Sequence, residues 1–203
     1  MGGMNVAEEF QPVRGKIVYA AKYFQLLGTG DRTIEWREPL PAEWEPEDIE
    51  ASFAEMESSP ELGTSQVFNS YVNECDADGM GITTGLYFGS QVIAPGQRTP
   101  RHRHTTETVY FIWQGEGVTD LDSPDERRKT RIVWKPGKVF VCPPGWWHAH
   151  ENTGKIPMRI SAVQNIPDLA RRGLLMFDEG SGYQPVGRPA PQVDSRAEEP
   201  AAT

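Results

Sequence analysis

The chain contains four histidines, and all of them lie within two short stretches of the sequence. His102 and His104 belong to the first stretch, and His148 and His150 belong to the second. Residues i and i+2 of a β-strand project from one face about 7 Å apart, so two such imidazoles can reach one ion, each nitrogen roughly 2.1 Å from it. We therefore predict a metal site formed by His102, His104 and His148.

His148 must reach this site from a second, distant strand. The rigid turn Pro143-Pro144-Gly145 precedes it and fixes the direction in which the next residues leave. The two stretches read Gly96-x5-His102-x-His104 followed by Gly115, and Gly137-x5-Pro143-x-Gly145-x2-His148-x3-Asn152.

This spacing, glycines included, resembles the two motifs of the cupin superfamily. The resemblance is close over residues 96–152 and compatible from about 66 to 165. It implies an all-β fold: a single cupin-type barrel, also called a double-stranded β-helix or jelly roll, with a metal in its mouth and a few peripheral helices.

The elements that must carry these motifs are short β-rich runs cut by turn residues. Such regularly spaced runs predict a β-sandwich or barrel independently of the motifs. The predicted strands are Val67 to Val72, Ile82 to Ala94, Thr108 to Trp113, Gly117 to Leu121, Thr130 to Trp134, Lys138 to Cys142 and Met158 to Val163.

The segments outside the barrel are predicted as an N-terminal extension (1–65), a C-terminal helix and loop (166–188) and a disordered tail (189–203), with the barrel itself at 66–165. Pro46 to Ser58 has a first-turn proline, acidic residues at the positive end and helical apolar spacing, which predict a helix on the outside of the barrel. Asp168 to Phe177 is predicted as a second helix. Ile17 to Phe24 fits either a strand or a short helix.

Composition restricts the classes of partner. The net charge of -9 disfavours nucleic acid and anionic lipid surfaces. No apolar run is long enough for a membrane span and no signal peptide is visible, so we expect a cytoplasmic protein. Cys75 and Cys142 have no disulfide or C-x-x-C pattern, and we interpret both as small hydrophobic residues.

A carboxylate is missing from the first motif. Cupins usually carry a glutamate four residues after the second histidine, and Thr108 occupies that position here. Glu107 is adjacent but has the opposite strand parity, so it reaches the metal only if a bulge turns it inward. We expect three histidine ligands, with Glu107 as the alternative. Three neutral imidazoles leave the full +2 charge and several open positions for a chelating substrate.

Within the cupins, His102-Arg103-His104-Thr105 and Trp147-His148-Ala149-His150-Glu151-Asn152 resemble the gentisate and salicylate 1,2-dioxygenase group. That resemblance implies Fe(II) bound by the three predicted histidines and oxygen-dependent ring cleavage. Members of that group are generally longer, with two cupin domains. They carry aspartate where this chain has Ala149, and a substrate-binding arginine where it has Tyr110. Tyrosine cannot neutralise a carboxylate, so we expect a substrate other than a simple 2-hydroxybenzoate.

The predicted reaction is dioxygenation of a small hydroxylated aromatic or an enolisable carbonyl compound that chelates Fe(II). Tyr110 would hydrogen-bond or protonate the reacting oxygen, and His150 would act as an outer-shell or substrate-facing base. The alternatives are a wall tyrosine with its hydroxyl satisfied and a surface histidine. Thr108, Ile112 and Trp146 are predicted to line the substrate pocket.

Two other functions fit the same residues. A lyase, isomerase or cyclase using Zn, Mn or Ni would tolerate the same ligands without oxygen, because imidazole accepts several metals. A non-catalytic cupin that binds a small molecule is the third class. The resemblance also implies a homodimer formed through the outer strands and the N-terminal extension.

Overall fold

The structure, a computed structural model, describes residues 13–14, 16–20, 40–62, 67–73 and 81–186. The helices are α1 (Pro46–Ser58) and α2 (Ile166–Arg171). The strands are β1 (Val13–Arg14), β2 (Lys16–Ala20), β3 (Ala42–Glu43), β4 (Val67–Val72), β5 (Tyr87–Ile93), β6 (Arg103–His104), β7 (Thr108–Gln114), β8 (Gly117–Asp122), β9 (Lys129–Val133), β10 (Val139–Cys142), β11 (Trp147–Asn152), β12 (Met158–Gln164), β13 (Met176–Asp178) and β14 (Gln184–Pro185).

Antiparallel sheets dominate the fold. The largest has six strands in the order β10-β7-β12-β5-β4-β2, and a second has the order β11-β8-β9. A third, smaller sheet pairs β14, β13 and β6, while β1 and β3 form a short parallel pair. The predicted all-β fold with a few peripheral helices is therefore confirmed.

The core lies between the inner faces of the two larger sheets. Burial alternates along β7 and β8, as expected for strands with one face inside and one face outside. The buried cluster combines side chains from both sheets, among them Ile112, Phe140 and Ile160 from the large sheet and Leu121 from β8. The core is thus shared between the two larger sheets.

Helix α1 has the predicted bounds and packs on the outside of the large sheet. Phe53 and Met56 are buried against Val67 and Val92. Val92 and the next residue, Ile93, face opposite sides of β5, one toward the helix and one toward the core. No helix among the described residues has the length and apolarity needed to span a membrane.

Two element predictions need correction. The strand predicted from Ile82 begins only at Tyr87, since residues 82–85 form bends. The helix predicted over Asp168 to Phe177 runs instead from Ile166 to Arg171. Gly173, with a φ of 67°, ends it, and the following residues form β13.

Two further expectations fall at the edge of the described residues. The run beginning at Ile17 lies in strand β2, which ends at Ala20, and the rest of that run lies outside the described residues. The tail at 189–203 also lies outside them.

Candidate metal centre

Three histidines from two separate segments of the chain meet at one end of the core. His104 lies on β6 and His148 on β11, and a β-bridge joins His102 to His148. One ring nitrogen from each of the three falls within 4.8 Å of the others. The ring centroids of His102 and His148 are 4.2 Å apart, and those of His104 and His148 are 4.8 Å apart. The structure thus brings together the three residues predicted as ligands.

Backbone hydrogen bonds fix this arrangement. The His102 amide donates to the His148 carbonyl at 3.0 Å, and the His148 amide donates to the His102 carbonyl at 2.8 Å. The turn before β11 is held in the same way, because the Gly145 amide donates to the His104 carbonyl at 2.8 Å. Gly145 has a φ of 76°, which favours glycine at this position. The motif turn therefore binds the second motif directly to the first.

The Nδ1 atoms of the three rings are occupied by hydrogen bonds. His102 Nδ1 lies 2.9 Å from the Pro100 carbonyl, and His148 Nδ1 lies 3.0 Å from the Trp146 carbonyl. A carbonyl only accepts, so both Nδ1 atoms carry the proton, and each Nε2 keeps its lone pair for a metal. His104 Nδ1 lies 2.6 Å from the Thr106 hydroxyl.

Burial keeps these imidazoles neutral. Desolvation lowers the pKa of His104 to about 3 and lowers the pKa of His102 below its usual value. The pKa of His148 lies well below its usual value for the same reason, with the neighbouring imidazoles adding to the effect. Neutral imidazole is the form that binds metal ions, so the electrostatics of the site fit a cation.

Glu107 does not join this group. Its side chain is exposed, and its amide donates to Asn165 Oδ1 at 3.0 Å. Thr108 points inward, where its hydroxyl accepts a hydrogen bond from Gln164 Nε2 at 2.9 Å. Among the described residues, the only set of three or more histidine, cysteine or acidic side chains with converging ligand atoms is the histidine triad.

Cys142 approaches the centre from the side away from the metal-facing nitrogens. Its Sγ lies 3.4 Å from His148 Nδ1, the nitrogen that also contacts the Trp146 carbonyl. Burial raises the pKa of this thiol to about 12. It is therefore a neutral packing group, as the sequence predicted.

A cavity of about 570 Å³, measured with its open mouth, lies beside the triad. His102, His104, His150 and Tyr110 contribute to its wall. The lining from β5 and β12 also includes two amide side chains, Gln91 and Gln164. Gln91 is 7% exposed, and its Nε2 forms no hydrogen bond. An unpaired buried amide donor is costly, so this wall is suited to a ligand that brings an acceptor.

The two residues predicted to be catalytic both face this cavity. Tyr110 OH lies 3.5 Å from His148 Nε2, and its ring stands edge-on to His150 with centroids 4.8 Å apart. Desolvation raises the pKa of Tyr110 well above its usual value, so the phenol keeps its proton. His150 is 2% exposed, and desolvation lowers its pKa well below the usual value.

The three residues predicted to line the substrate pocket, Thr108, Ile112 and Trp146, are not among the side chains that line this cavity. Ile112 faces inward but belongs to the apolar core beyond the cavity, since it is two residues further along β7 than Tyr110. Thr108 lies behind Gln164, with which it forms a hydrogen bond. Trp146 packs partly against the core and lies under the Arg128 guanidinium, 5.7 Å from its ring centroid.

The C-terminal segment supplies a wall that the sequence analysis did not anticipate. Phe177 lies opposite His104 in the pairing of β13 with β6, and its ring centroid is 5.1 Å from that of His102. An ion pair between Arg103 and the buried Asp178, at 2.8 Å, holds this strand beside the histidine triad. Phe177 and Glu179 both line the cavity. Nothing in the local spacing of these residues signals a site.

Residues 89–164 match the cupin domain family. Over 175 residues, the chain is 27% identical to a 5-nitrosalicylic acid 1,2-dioxygenase from Bradyrhizobium sp, covering 84% of this chain and 78% of that protein. It is 40% identical over 77 residues to a gentisate 1,2 dioxygenase 1 from Aquipseudomonas alcaligenes, covering 38% of this chain and 21% of that protein.

Solved structures show the same fold. A salicylate 1,2-dioxygenase from Pseudoaminobacter salicylatoxidans, with gentisate adducts, superposes with a TM-score of 0.53 at 14% identity, covering 66% of this chain and 36% of that chain. A variant of that enzyme gives 0.55 at 15% identity, covering 66% of this chain and 38% of that chain. The chain thus spans between a third and two fifths of these dioxygenase chains.

Proposed function

We propose that this protein, whose residues 89–164 form a cupin domain, is an Fe(II)-dependent dioxygenase that acts on a small hydroxylated aromatic or an enolisable carbonyl compound. The observation that carries the proposal is the convergence of His102, His104 and His148 beside an open cavity. The dioxygenase names of the related proteins support the same class of chemistry.

The residues fit a divalent first-row metal. All three donors are neutral imidazole nitrogens, and hydrogen bonds to Nδ1 leave Nε2 available in His102 and His148. When bound, Fe(II) would supply open positions for two substrate oxygens and for dioxygen, and would lower the pKa of a coordinated hydroxyl. Zn, Mn or Ni fits the same donors, which keeps an oxygen-independent lyase, isomerase or cyclase as the alternative.

The protein side chains would bind and orient the substrate. Tyr110 keeps its proton and donates a hydrogen bond beside His148, and Gln91 Nε2 offers a second donor from β5. Gln164 Nε2 is already engaged by Thr106 and Thr108, so Gln164 holds its wall in place. Phe177 covers His102 and excludes water from that side.

The charge of the cavity favours an uncharged chelator. Its described wall includes Glu179 and no lysine or arginine, and neutral Tyr110 cannot balance a carboxylate. Salicylamide and salicylate have nearly the same shape but differ by one charge, so they form a matched pair. We expect the amide to be the better ligand and the better substrate.

Oxygen uptake by the anaerobically Fe(II)-loaded protein tests this function. The panel contains catechol, gentisate, salicylate, salicylamide and pentane-2,4-dione, and the controls are the Zn-loaded protein and His104→Ala. We expect uptake only with Fe(II) and intact ligands. Turnover that persists without oxygen in the Zn or Mn form would establish the lyase alternative. If no metal supports turnover and a panel compound still raises the melting temperature, the protein is a non-catalytic small-molecule-binding protein.

We also propose that two copies associate through an outer apolar face formed by Val109, Trp113, Val139 and Val141. These side chains are 42%, 43%, 57% and 55% exposed, and they lie together on β7 and the edge strand β10. Such a face on an edge strand favours pairing with another copy. Sedimentation should give twice the 22.7 kDa mass of the chain. Val141→Lys should give the single-chain mass, whereas Val133→Lys, on the other sheet, should leave the dimer intact.

A further inference from the structure

His150 differs from the other three histidines in the partner of its Nδ1 atom. This Nδ1 lies 2.8 Å from the hydroxyl of Thr119, which is fully buried. The ring lines the cavity, and the described residues form no hydrogen bond to its Nε2. The position of the imidazole proton therefore decides whether His150 presents a donor or an acceptor to the cavity.

Thr119 also contacts Trp134, and this second contact decides which nitrogen of His150 carries the proton. Trp134 Nε1 lies 2.7 Å from Thr119 Oγ1. An indole nitrogen donates and does not accept, so the Thr119 oxygen accepts from Trp134 and still has its own proton to place. Within the described part of the chain, the only acceptor that contacts this hydroxyl is His150 Nδ1. A buried hydroxyl proton left without an acceptor would cost free energy.

We propose that the Thr119 hydroxyl donates to His150 Nδ1 and so holds this imidazole as the tautomer with its proton on Nε2. His150 then donates a hydrogen bond into the cavity and does not accept a proton from the ligand there. The general-base role expected from the sequence is replaced by the binding of an acceptor oxygen. What that oxygen belongs to rests on the proposed function, whereas the tautomer itself does not.

The other histidines show why this assignment is particular to His150. Carbonyl groups require a proton on Nδ1 of His102 and of His148, which is the tautomer of a metal ligand. His104 faces a hydroxyl, that of Thr106, but Thr106 has another acceptor within reach, the Thr108 oxygen at 3.4 Å. Thr106 can therefore accept from His104 and donate onward, which Thr119 cannot do.

This assignment also explains why four neighbouring histidines provide three ligands. The ring centroids of His150 and His148 are only 5.6 Å apart. A nitrogen that carries a proton has no lone pair for a metal, so His150 in this tautomer remains outside the coordination sphere. It stays available to position an oxygen of the bound substrate.

Nitrogen-15 NMR of the imidazoles tests the tautomer directly, because four histidines give few signals. The full chain is labelled at histidine and measured metal-free and Zn-loaded, and His150→Gln identifies the signals of residue 150. We expect Nε2 protonation at His150 and, in the Zn form, Nδ1 protonation at the other three. Nδ1 protonation at His150 in the unchanged protein would overturn the proposal, and this result needs no variant of Thr119.

Three variants test whether the Thr119 hydroxyl sets the tautomer of His150. Thr119→Ser keeps the hydroxyl and should keep the tautomer. Trp134→Phe leaves the Thr119 oxygen free to accept from Nδ1 and should shift His150 toward Nδ1 protonation. Thr119→Val removes the hydroxyl altogether, so neither tautomer is held at Nδ1 and a mixture of the two is expected. An unchanged His150 spectrum in both Thr119→Val and Trp134→Phe would contradict the role of Thr119.

Turnover by His150 variants of the Fe(II)-loaded protein tests whether His150 acts as a hydrogen-bond donor or as a base. Glutamine can donate a hydrogen bond but is not a base, so His150→Gln should keep kcat/KM within about 10-fold of the original, and His150→Leu should lose about 100-fold or more. Equal losses in both variants would favour the base and overturn the donor role. If the unchanged protein consumes no oxygen, the proposed function fails, and the NMR result still decides the tautomer.

Discussion

Each of the four imidazoles is held through its Nδ1 atom by a specific partner. His102 and His148 use backbone carbonyls, which no substitution can remove, whereas His104 and His150 depend on threonine hydroxyls. The ring orientations of the first two are thus fixed by the fold itself. Those of the other two can be altered by changing a single side chain.

Loss of one ligand imidazole should abolish tight metal binding. Changes to groups that only orient a ligand typically cost about 10–100-fold in affinity, so His104→Ala should cost more than about 100-fold. Competition with a chromophoric chelator measures this. His150→Gln is the matched control, because that ring has no metal-facing lone pair in the proposed tautomer. An equal loss of affinity in both variants would place His150 among the ligands.

The spacing along the chain made the convergence of His102, His104 and His148 predictable. Strand parity made it predictable that Tyr110 faces the same side. Parity also indicated correctly that Ile112 faces inward, but it could not say how deep along the strand the cavity ends. Gln91 could not be found in this way, because its role depends on the register of β5 against β12, which brings Gln91 opposite Ile160. Register is a property of paired strands and not of one segment.

At the scale of elements, ion pairs from one side chain, Arg159, add to the apolar packing that holds helix α1 on the large sheet. Arg159 on β12 forms ion pairs with Glu57 at 2.6 Å and with Glu50 at 2.8 Å, and its guanidinium lies 4.9 Å from the Phe53 ring centroid. Arg159 is 12% exposed at its side chain, Glu57 is 24% exposed and Glu50 is 66% exposed. The pair with Glu57 is therefore the better shielded from solvent.

Removal of this contact should loosen the helix. We expect Arg159→Ala to lower the free energy of unfolding by about 2 kcal/mol, between the values for exposed and fully buried pairs, and to speed amide exchange in residues 46–58. Glu57→Gln should have a larger effect than Glu50→Gln, which should cost less than about 0.5 kcal/mol. Urea titrations measure all three. Equal effects of the two glutamine variants would mean that solvent screens both pairs alike.

The bounds of α1 followed from its first-turn proline and apolar spacing, since both signals are local. The C-terminal elements could not be predicted in this way, because Met176 to Asp178 form a strand by pairing with β14 and with β6, and β6 lies more than seventy residues earlier in the chain. The apolar spacing that suggested a longer helix arises instead from Leu175, which is buried beside α2. Long-range pairing overrides local periodicity there.

At the scale of the whole molecule, the burial of neutral histidines determines the response to acid. An unfolded histidine takes up a proton near pH 6.5, whereas folded His104 does so only at about pH 3. The unfolded state binds more protons between these values, so stability falls as the pH falls below 6.5. Asp120, whose pKa is lowered chiefly by Arg131, adds its own loss only below about pH 4.

The metal-free protein should therefore lose stability well before its carboxyl groups titrate. His104 alone should contribute a loss of about 2 kcal/mol between pH 6.5 and 5. Urea midpoints measured at pH 7, 6 and 5 would show it, and His104→Gln should give a shallower slope than the unchanged protein. A midpoint that does not change between pH 7 and 5 would contradict neutral burial of these rings.

The pairing of β13 with β6 also determines where a shortened fragment of this protein can end. The region that matches the cupin domain ends at residue 164, yet Phe177 and Glu179 close one side of the cavity and Asp178 holds the arginine between two of the ligands. A fragment trimmed at the homology boundary would retain every histidine and still leave this side of the cavity open to bulk solvent. The segment needed to enclose the cavity is therefore longer than the segment by which the domain is recognised.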